Sequence, residues 1–356
     1  MKKINFSAGP AILPQSVIEK AAQAILDYNG SGLSLIEVSH RGKDFIETMD
    51  QAISLTKELL GIGDEFEVLF LQGGASMQFY QVPLNLINDG ETAGYINTGT
   101  WSKKAIKEAK LVGNVKVLAS SEESNFSYIP KGFEIPSDLK YLHYTSNNTI
   151  FGTQFHNIPL TDVKLVSDMS SDMFSRPIDI EKYDLIYAGA QKNIGPAGVT
   201  LVIVRKEALS KINKTLPSML DYRIHAENVS MFNTPPVFAV YTTMLTLQWI
   251  KDNGGLSAMS SHNEAKSKVL YDVLDESSLF VGHAAKEDRS HMNVTFNIAN
   301  PDLEGAFSAA CKAAGLDGLK GHRSVGGFRA SIYNAMQIEG IQILADIMTS
   351  FEKKNS

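Results

Sequence analysis

The 356-residue chain holds one cysteine, Cys311. No intramolecular disulfide can form, and a reducing compartment is expected. It also has no uninterrupted apolar run near the roughly 20 residues that span a bilayer, so no membrane partner is expected. Positive charge is not in excess: 33 Lys and Arg stand against 39 Asp and Glu, a formal net charge of −6. That balance lacks the basic face of a nucleic-acid binder. There is no Gly-x-Gly-x-x-Gly run and no Gly-Lys-Ser/Thr of a phosphate loop. No His/Cys cluster has ligand spacing, so no metal is expected. Residues 1–14 put polar, Pro and Gly residues directly after two lysines, without the apolar stretch of a secretory signal, and a cytoplasmic location follows as the expectation. What the chain does have is ordinary for a globular protein, 44% hydrophobic and 20% charged residues, with length enough for two domains.

Apolar residues recur at helical spacing over 15–28, closed by Asn29-Gly30, and again over 44–60, closed by Gly61. Short apolar runs then follow at 68–71, 92–96, 115–119, 141–144, 165–167, 185–188 and 200–204, with a helical stretch at 101–112. Strands alternating with helices predict an α/β fold with a mainly parallel central sheet. Past about residue 235 the texture changes. A buried helix is predicted at 237–252, an amphipathic one at 256–275, strands at 294–298 and 328–331, and helices near 303–314 and 338–353. The expected organisation is an N-terminal segment (1–15) near the active site, a large domain (16–257) and a smaller α+β C-terminal domain (258–356).

Chemistry concentrates in residues 187–198, where Lys192 lies between two apolar strands among Gly, Ala and Pro. A lysine is usually a solvated surface charge. Here small neighbours let another group approach, and a lysine withdrawn from water at a strand end has an accessible neutral, nucleophilic amine. Imine formation with a carbonyl needs that form. Asp168 follows the strand at 165–167. It reads either as a turn or cap residue or as a carboxylate aimed into the crevice at the strands' carboxyl ends. The turn Gly73-Gly74-Ala75-Ser76 links a strand to a helix start, where free N–H groups favour phosphate. Trp101 could stack on a flat ring or fill a core. Two cationic stretches, Ser39-His40-Arg41-Gly42-Lys43 and 320–329 with His322, Arg323 and Arg329, are either solvated loops or a dianion receptor.

Those residues, with the stretches at 5–10, 37–43, 175–179, 187–198, 230–236, 320–327 and 329–335 in this order, make the chain resemble the phosphoserine aminotransferase family. These are class-V, fold-type I enzymes that use pyridoxal 5′-phosphate (PLP), and the likeness spans nearly the whole length. The resemblance implies one PLP per subunit, held as a Schiff base by Lys192, with Lys192 then serving as the catalytic base. It implies that Asp168 pairs with the ring nitrogen, Trp101 stacks on the ring, and Thr149 bonds near its phenolic oxygen. Ala75, Ser76 and Gln191 are implied as phosphate ligands, with Asn233 and Thr234 reaching across a homodimer interface. His40, Arg41, His322 and Arg323 are implied receptors of the substrate phosphate, and Arg329 of its α-carboxylate. The implied reaction moves an amino group between L-glutamate and 3-phosphohydroxypyruvate, giving 2-oxoglutarate and O-phospho-L-serine in L-serine biosynthesis. Bacterial members often also aminate a phosphorylated four-carbon keto acid in pyridoxine biosynthesis. One departure is Ser76, where some relatives carry arginine; it removes one charge at the cofactor phosphate.

Two other classes compete. A transaminase of the alanine–glyoxylate type explains Lys192 and Asp168 but leaves the paired His-Arg segments without a task. A non-catalytic phosphometabolite-binding protein using the 73–76 turn alone leaves the surroundings of Lys192 unexplained.

Overall fold

The computed structural model describes residues 3–355. Helices α1 (Gln15–Leu26) and α2 (Lys43–Leu60) come first; α2 stops at Gly61, whose φ of 65° places it in the left-handed region that a glycine enters without a Cβ clash. The alternating stretch that follows forms β1 (Phe66–Leu71), α3 (Gly74–Leu86), β2 (Thr92–Asn97), α4 (Thr100–Ala109), β3 (Asn114–Ser120), β4 (Leu142–Thr145), β5 (Leu165–Asp168), β6 (Tyr183–Gly189) and β7 (Thr200–Arg205). The seven strands form one sheet in the order β1-β7-β6-β5-β4-β2-β3. Strand β7 runs antiparallel to both its neighbours, and every other pairing is parallel.

Both faces of this sheet are covered, which is why its inner strands are near-continuous apolar runs. On one face Tyr95, Tyr141, Val166, Leu185, Tyr187 and Val202 pack with α3 and α4. On the other, Phe70, Leu142, Ile186 and Leu201 pack with Phe45 and Met49 of α2 and with Val240 and Leu247 of α5 (Val237–Asp252). Strand β3 is an edge, and its residues are largely exposed.

Helix α6 (Gly255–Glu276) leads into a second, antiparallel sheet of three strands, β8 (Phe280–Gly282), β9 (Asn293–Ile298) and β10 (Phe328–Ser331), flanked by α7 (Glu304–Ala313) and α8 (Ile338–Asn355). Its core is built on Phe280, Phe296, Phe307 and Phe328. Phe6, from the other end of the chain, is fully buried in that same core, because Ile4 and Asn5 pair in parallel with Leu316 and Asp317. Among the described residues, no helix is long and apolar enough to cross a membrane.

The α/β class with a mainly parallel sheet agrees with the sequence reading. The helix expected over 101–112 ends earlier, at Ala109. The amides of Lys110, Leu111, Val112 and Gly113 turn back onto the carbonyls of Ile106, Glu108 and Ala109 so that the chain can enter β3. Strand β8 and the two-residue pairing of Ile4 and Asn5 carry too few residues for a period to register.

Candidate active site

Parallel strands aim their carboxyl ends at one edge, and the open α/β sheet binds ligands there. At that edge lie Gln72–Ser76 after β1, Thr98–Trp101 after β2, Ser146–Thr149 after β4, Asp168 at the end of β5 and Ala190–Lys192 after β6. The antiparallel β7 begins at the same edge, with Thr200 opposite both Leu71 and Gly189.

Lys192 is held at this edge by its own hydrogen bond. Its Nζ donates to Thr149 Oγ1 at 2.7 Å and lies 5.4 Å from the centre of the Trp101 ring. Burial lowers its pKa from 10.5 to about 8; Asp168 opposes that shift and Arg329 adds to it. The N-terminal segment closes over it: Ala11 N donates to Gln191 O at 2.9 Å, and a Cβ on Gly9 would sit 3.5 Å from Lys192 Cγ. Asp168 is 4% exposed, and its Oδ1 accepts from the Ser170 amide (3.0 Å) and hydroxyl (2.6 Å). Its other oxygen is uncommitted. Burial raises the pKa of this carboxyl, and the Lys192 charge partly offsets the rise.

Gly73 and Gly74 make the turn into α3 with φ of 94° and 66°. A Cβ on Gly73 would come within 2.5 Å of Met77 Cβ, so the backbone can approach this closely only without a side chain. Ala75 and Ser76 follow in the first turn of α3, where amides lack helical partners. Gln191 packs its side chain against Gly189.

Arg329, on β10, reaches across from the second sheet and donates from Nη1 to the Thr149 carbonyl at 3.3 Å. It stands in the same edge as Lys192, and burial lowers its pKa. The 321–327 loop is folded on itself, with Gly321 N bonded to Gly327 O and the amides of Val325 and Gly326 to His322 O. Val325 and Trp101 both pack on the Phe126, Ile150 and Phe151 cluster, which brings His322 and Arg323 to the rim of the site. Burial lowers the pKa of His322, and the positive charges of Arg329, Arg323 and Lys104 lower it further.

The structure therefore brings together Lys192, Thr149, Trp101, Asp168 and Arg329, with His322 and Arg323 at the rim. It leaves His40, Arg41, Asn233 and Thr234 outside that set. Arg41 is exposed and its amide bonds only to Ser39, while His40 Nε2 is buried without a partner. Thr234 is exposed, and its carbonyl accepts from Gln72 Nε2 at 2.8 Å. The supports of the site were absent from the sequence reading. Ser170 clamps Asp168, and the Asp-x-Ser spacing of an Asx turn was the available signal. Asn193 Oδ1 accepts from the Asn334 amide at 3.0 Å, tying the residue after Lys192 to the second sheet; no local pattern announces it.

The residues fit PLP. A lysine amine with a lowered pKa, a buried carboxylate with one oxygen free, a glycine turn at a helix start and an indole converge on one edge. Trp101 Nε1, Thr145 Oγ1, Thr200 Oγ1 and Arg329 Nε are buried polar atoms without a protein partner. Such atoms cost free energy unless a ligand or water pairs them. Among the described residues, no group of three or more His, Cys, Asp or Glu could hold a metal ion.

Comparison with known proteins agrees with this chemistry. The family model of the class-V aminotransferases matches residues 4–344. The phosphoserine aminotransferase of Flavobacterium johnsoniae is 57% identical over 355 residues, covering 99% of this chain and all of the relative. The solved phosphoserine aminotransferase from Bacillus circulans subsp. alkalophilus superposes with a TM-score of 0.96 at 44% identity, covering 100% of this chain and 99% of that one. A PLP-bound phosphoserine aminotransferase from Trichomonas vaginalis gives 0.93 at 40% identity, covering 98% and 100%. A lysine and a carboxylate on one sheet edge, within a match that spans the chain, have one explanation: the protein belongs to the class-V aminotransferase family.

Proposed function

We propose that the chain is a PLP-dependent phosphoserine aminotransferase, moving an amino group reversibly between L-glutamate and 3-phosphohydroxypyruvate to give 2-oxoglutarate and O-phospho-L-serine. The observation that carries the reading is the match to phosphoserine aminotransferases along essentially the full chain. PLP, when bound, supplies a carbonyl for the substrate amine and a ring that takes up the electrons left at Cα. Lys192 Nζ would hold the cofactor and, once displaced by substrate, take the proton from the substrate Cα. Asp168 would sit at the ring nitrogen and keep it protonated, with Ser170 fixing the carboxylate plane. Trp101 would cover the ring and Thr149 would bond beside its phenolic oxygen. Ala75, Ser76 and Gln191 would hold the phosphate, the serine hydroxyl and helix-start amides standing in for an arginine charge.

The family resemblance supports a homodimer in which Asn233 and Thr234 complete the neighbour's cofactor site and His40 and Arg41 join His322 and Arg323 around the substrate phosphate. Arg329 would take the α-carboxylate. A phosphorylated four-carbon keto acid fits the same receptor and is a proposed second substrate. The proposal includes a cytoplasmic enzyme of two domains, 16–257 and 258–356, with an N-terminal segment, 1–15, near the active site.

The test is glutamate-dependent turnover of 3-phosphohydroxypyruvate against hydroxypyruvate. We expect kcat/KM to favour the phosphorylated acid by about 100-fold or more, because a receptor built for a dianion rejects an analogue without it. Arg323→Ala and Arg41→Ala should shrink the preference. Equal use of both acids by the wild-type enzyme refutes the assignment.

A further inference from the structure

The positive groups around the outer part of the site are not balanced by carboxylates. Among the described residues, His322, Arg323, Arg329 and Lys104 make no ion pair with any Asp or Glu. This stands out in a chain with a net charge of −6. Three of these groups have a task in the proposed reaction; Lys104 has none. It lies on α4, three residues after Trp101, so both side chains occupy one face of the helix. Its Nζ rests 4.6 Å from the centre of the Trp101 ring, the same ring that lies 5.4 Å from Lys192 Nζ. The same indole packs on the Phe126, Ile150 and Phe151 cluster, on which Val325, in the loop that carries His322 and Arg323, also packs. Its neighbour Lys103 shows the contrast: that ammonium is paired with Glu122.

We propose that Lys104 is a further substrate-binding residue, the cation that receives the distal anion of the substrate, above all its phosphate. This rests on the reading of the enzyme as one that takes a phosphorylated keto acid. With Arg329 assigned to the α-carboxylate, the opposite end of the same small molecule falls toward the rim. Lys104 reaches that rim on a flexible four-carbon stem, exposed and tethered only by its contact with the indole. A cation parked on an aromatic face at an exposed site gives up less when it leaves than a charge-assisted hydrogen bond to phosphate returns. Lys104 stands near enough to His322 to add, after burial and the two arginines, to the lowering of its pKa.

The experiment compares the PLP-loaded wild-type enzyme with Lys104→Gln, Lys104→Arg and, as control, Lys103→Gln. Among the described residues the exposed Lys104 side chain has no hydrogen-bond partner, so the variants should fold. For Lys104→Gln we expect KM for 3-phosphohydroxypyruvate to rise about tenfold or more with kcat nearly unchanged. KM for hydroxypyruvate should stay put, and inhibition by inorganic phosphate should weaken in parallel. Lys104→Arg should recover most of the affinity, and Lys103→Gln should behave as wild type. If Lys104→Gln leaves the phosphorylated substrate unaffected, or impairs both acids equally, the inference is overturned while the activity assignment stands. A wild-type enzyme with no preference for phosphate fails at the earlier step, before any variant is compared.

Discussion

At the residue scale, the chemistry turns on what burial does to two opposite charges. A free lysine with a pKa of 10.5 is almost wholly protonated at pH 7. With the pKa of Lys192 at about 8, about one-tenth of the amine is neutral at pH 7, a gain of about 300-fold. Asp168 moves the other way, its neutral form favoured by burial until a positive partner arrives. The protonated ring nitrogen of PLP would be that partner. The rate at which apoenzyme takes up PLP should therefore rise with pH and level off just above about 8, followed by the growth of absorbance near the visible edge. A rate still climbing steeply at pH 10 would mean that Lys192 titrates as an ordinary surface lysine. Lys192→Ala should abolish covalent attachment, detectable because borohydride no longer fixes the cofactor to the chain, and lower turnover by about 1,000-fold or more.

At the scale of elements, the site depends on α6 and β10 being locked to the large sheet. Lys266 of α6 is fully buried and donates to Ile332 O at 3.0 Å and Tyr333 O at 2.7 Å, just past the strand that carries Arg329. Tyr333 in turn donates to Ala8 O at 2.7 Å, in the segment over Lys192. Burial alone lowers the Lys266 pKa to about 7. Below pH 7 the folded and unfolded chains both carry this proton, and folding bears the whole cost of burying the charge. Between pH 7 and the unfolded value of 10.5 only the unfolded chain holds it, so the contribution of Lys266 to stability grows as pH rises. Lys266→Met removes the titrating group and leaves two buried carbonyls without their donor, at about 1–3 kcal/mol each. The Tm difference between wild type and Lys266→Met should widen from pH 6.5 to pH 9, as read by calorimetry. A difference that is constant across that range would show that Lys266 does not titrate within it.

For the whole molecule, the decisive question is where Asn233 and Thr234 act. They lie outside the set of bonded residues around Lys192, and Thr234 is exposed. If they serve a neighbouring subunit, complementation follows. One chain with Lys192→Ala and one with Asn233→Ala and Thr234→Ala, each impaired alone, should recover activity when dissociated and reassociated together. Random pairing gives half hybrids, each with one intact site, so about one-quarter of wild-type activity is expected. Activity no higher than the average of the two parents would place these residues in their own subunit's site.

Much of this architecture was open to reading in the chain itself. Lys192 could be singled out because it lies between two apolar strands among small residues, Asp168 because it follows the run at 165–167, and the fold class because buried parallel strands and their helices write two distinct periods. The joint pattern of the cationic stretches and the 187–198 turn was specific enough to indicate the family. What remained unwritten is whatever depends on contacts between segments far apart along the chain. Ser170 on Asp168 is local and had a signal. Thr149 with Arg329, Asn193 with Asn334, Lys266 with Tyr333 and Phe6 in the C-terminal core had none, since no periodicity records a contact between distant segments. Residue type therefore determined which groups could react, while only the packing of two sheets determined how far each was removed from water. That removal gives Lys192 its usable amine.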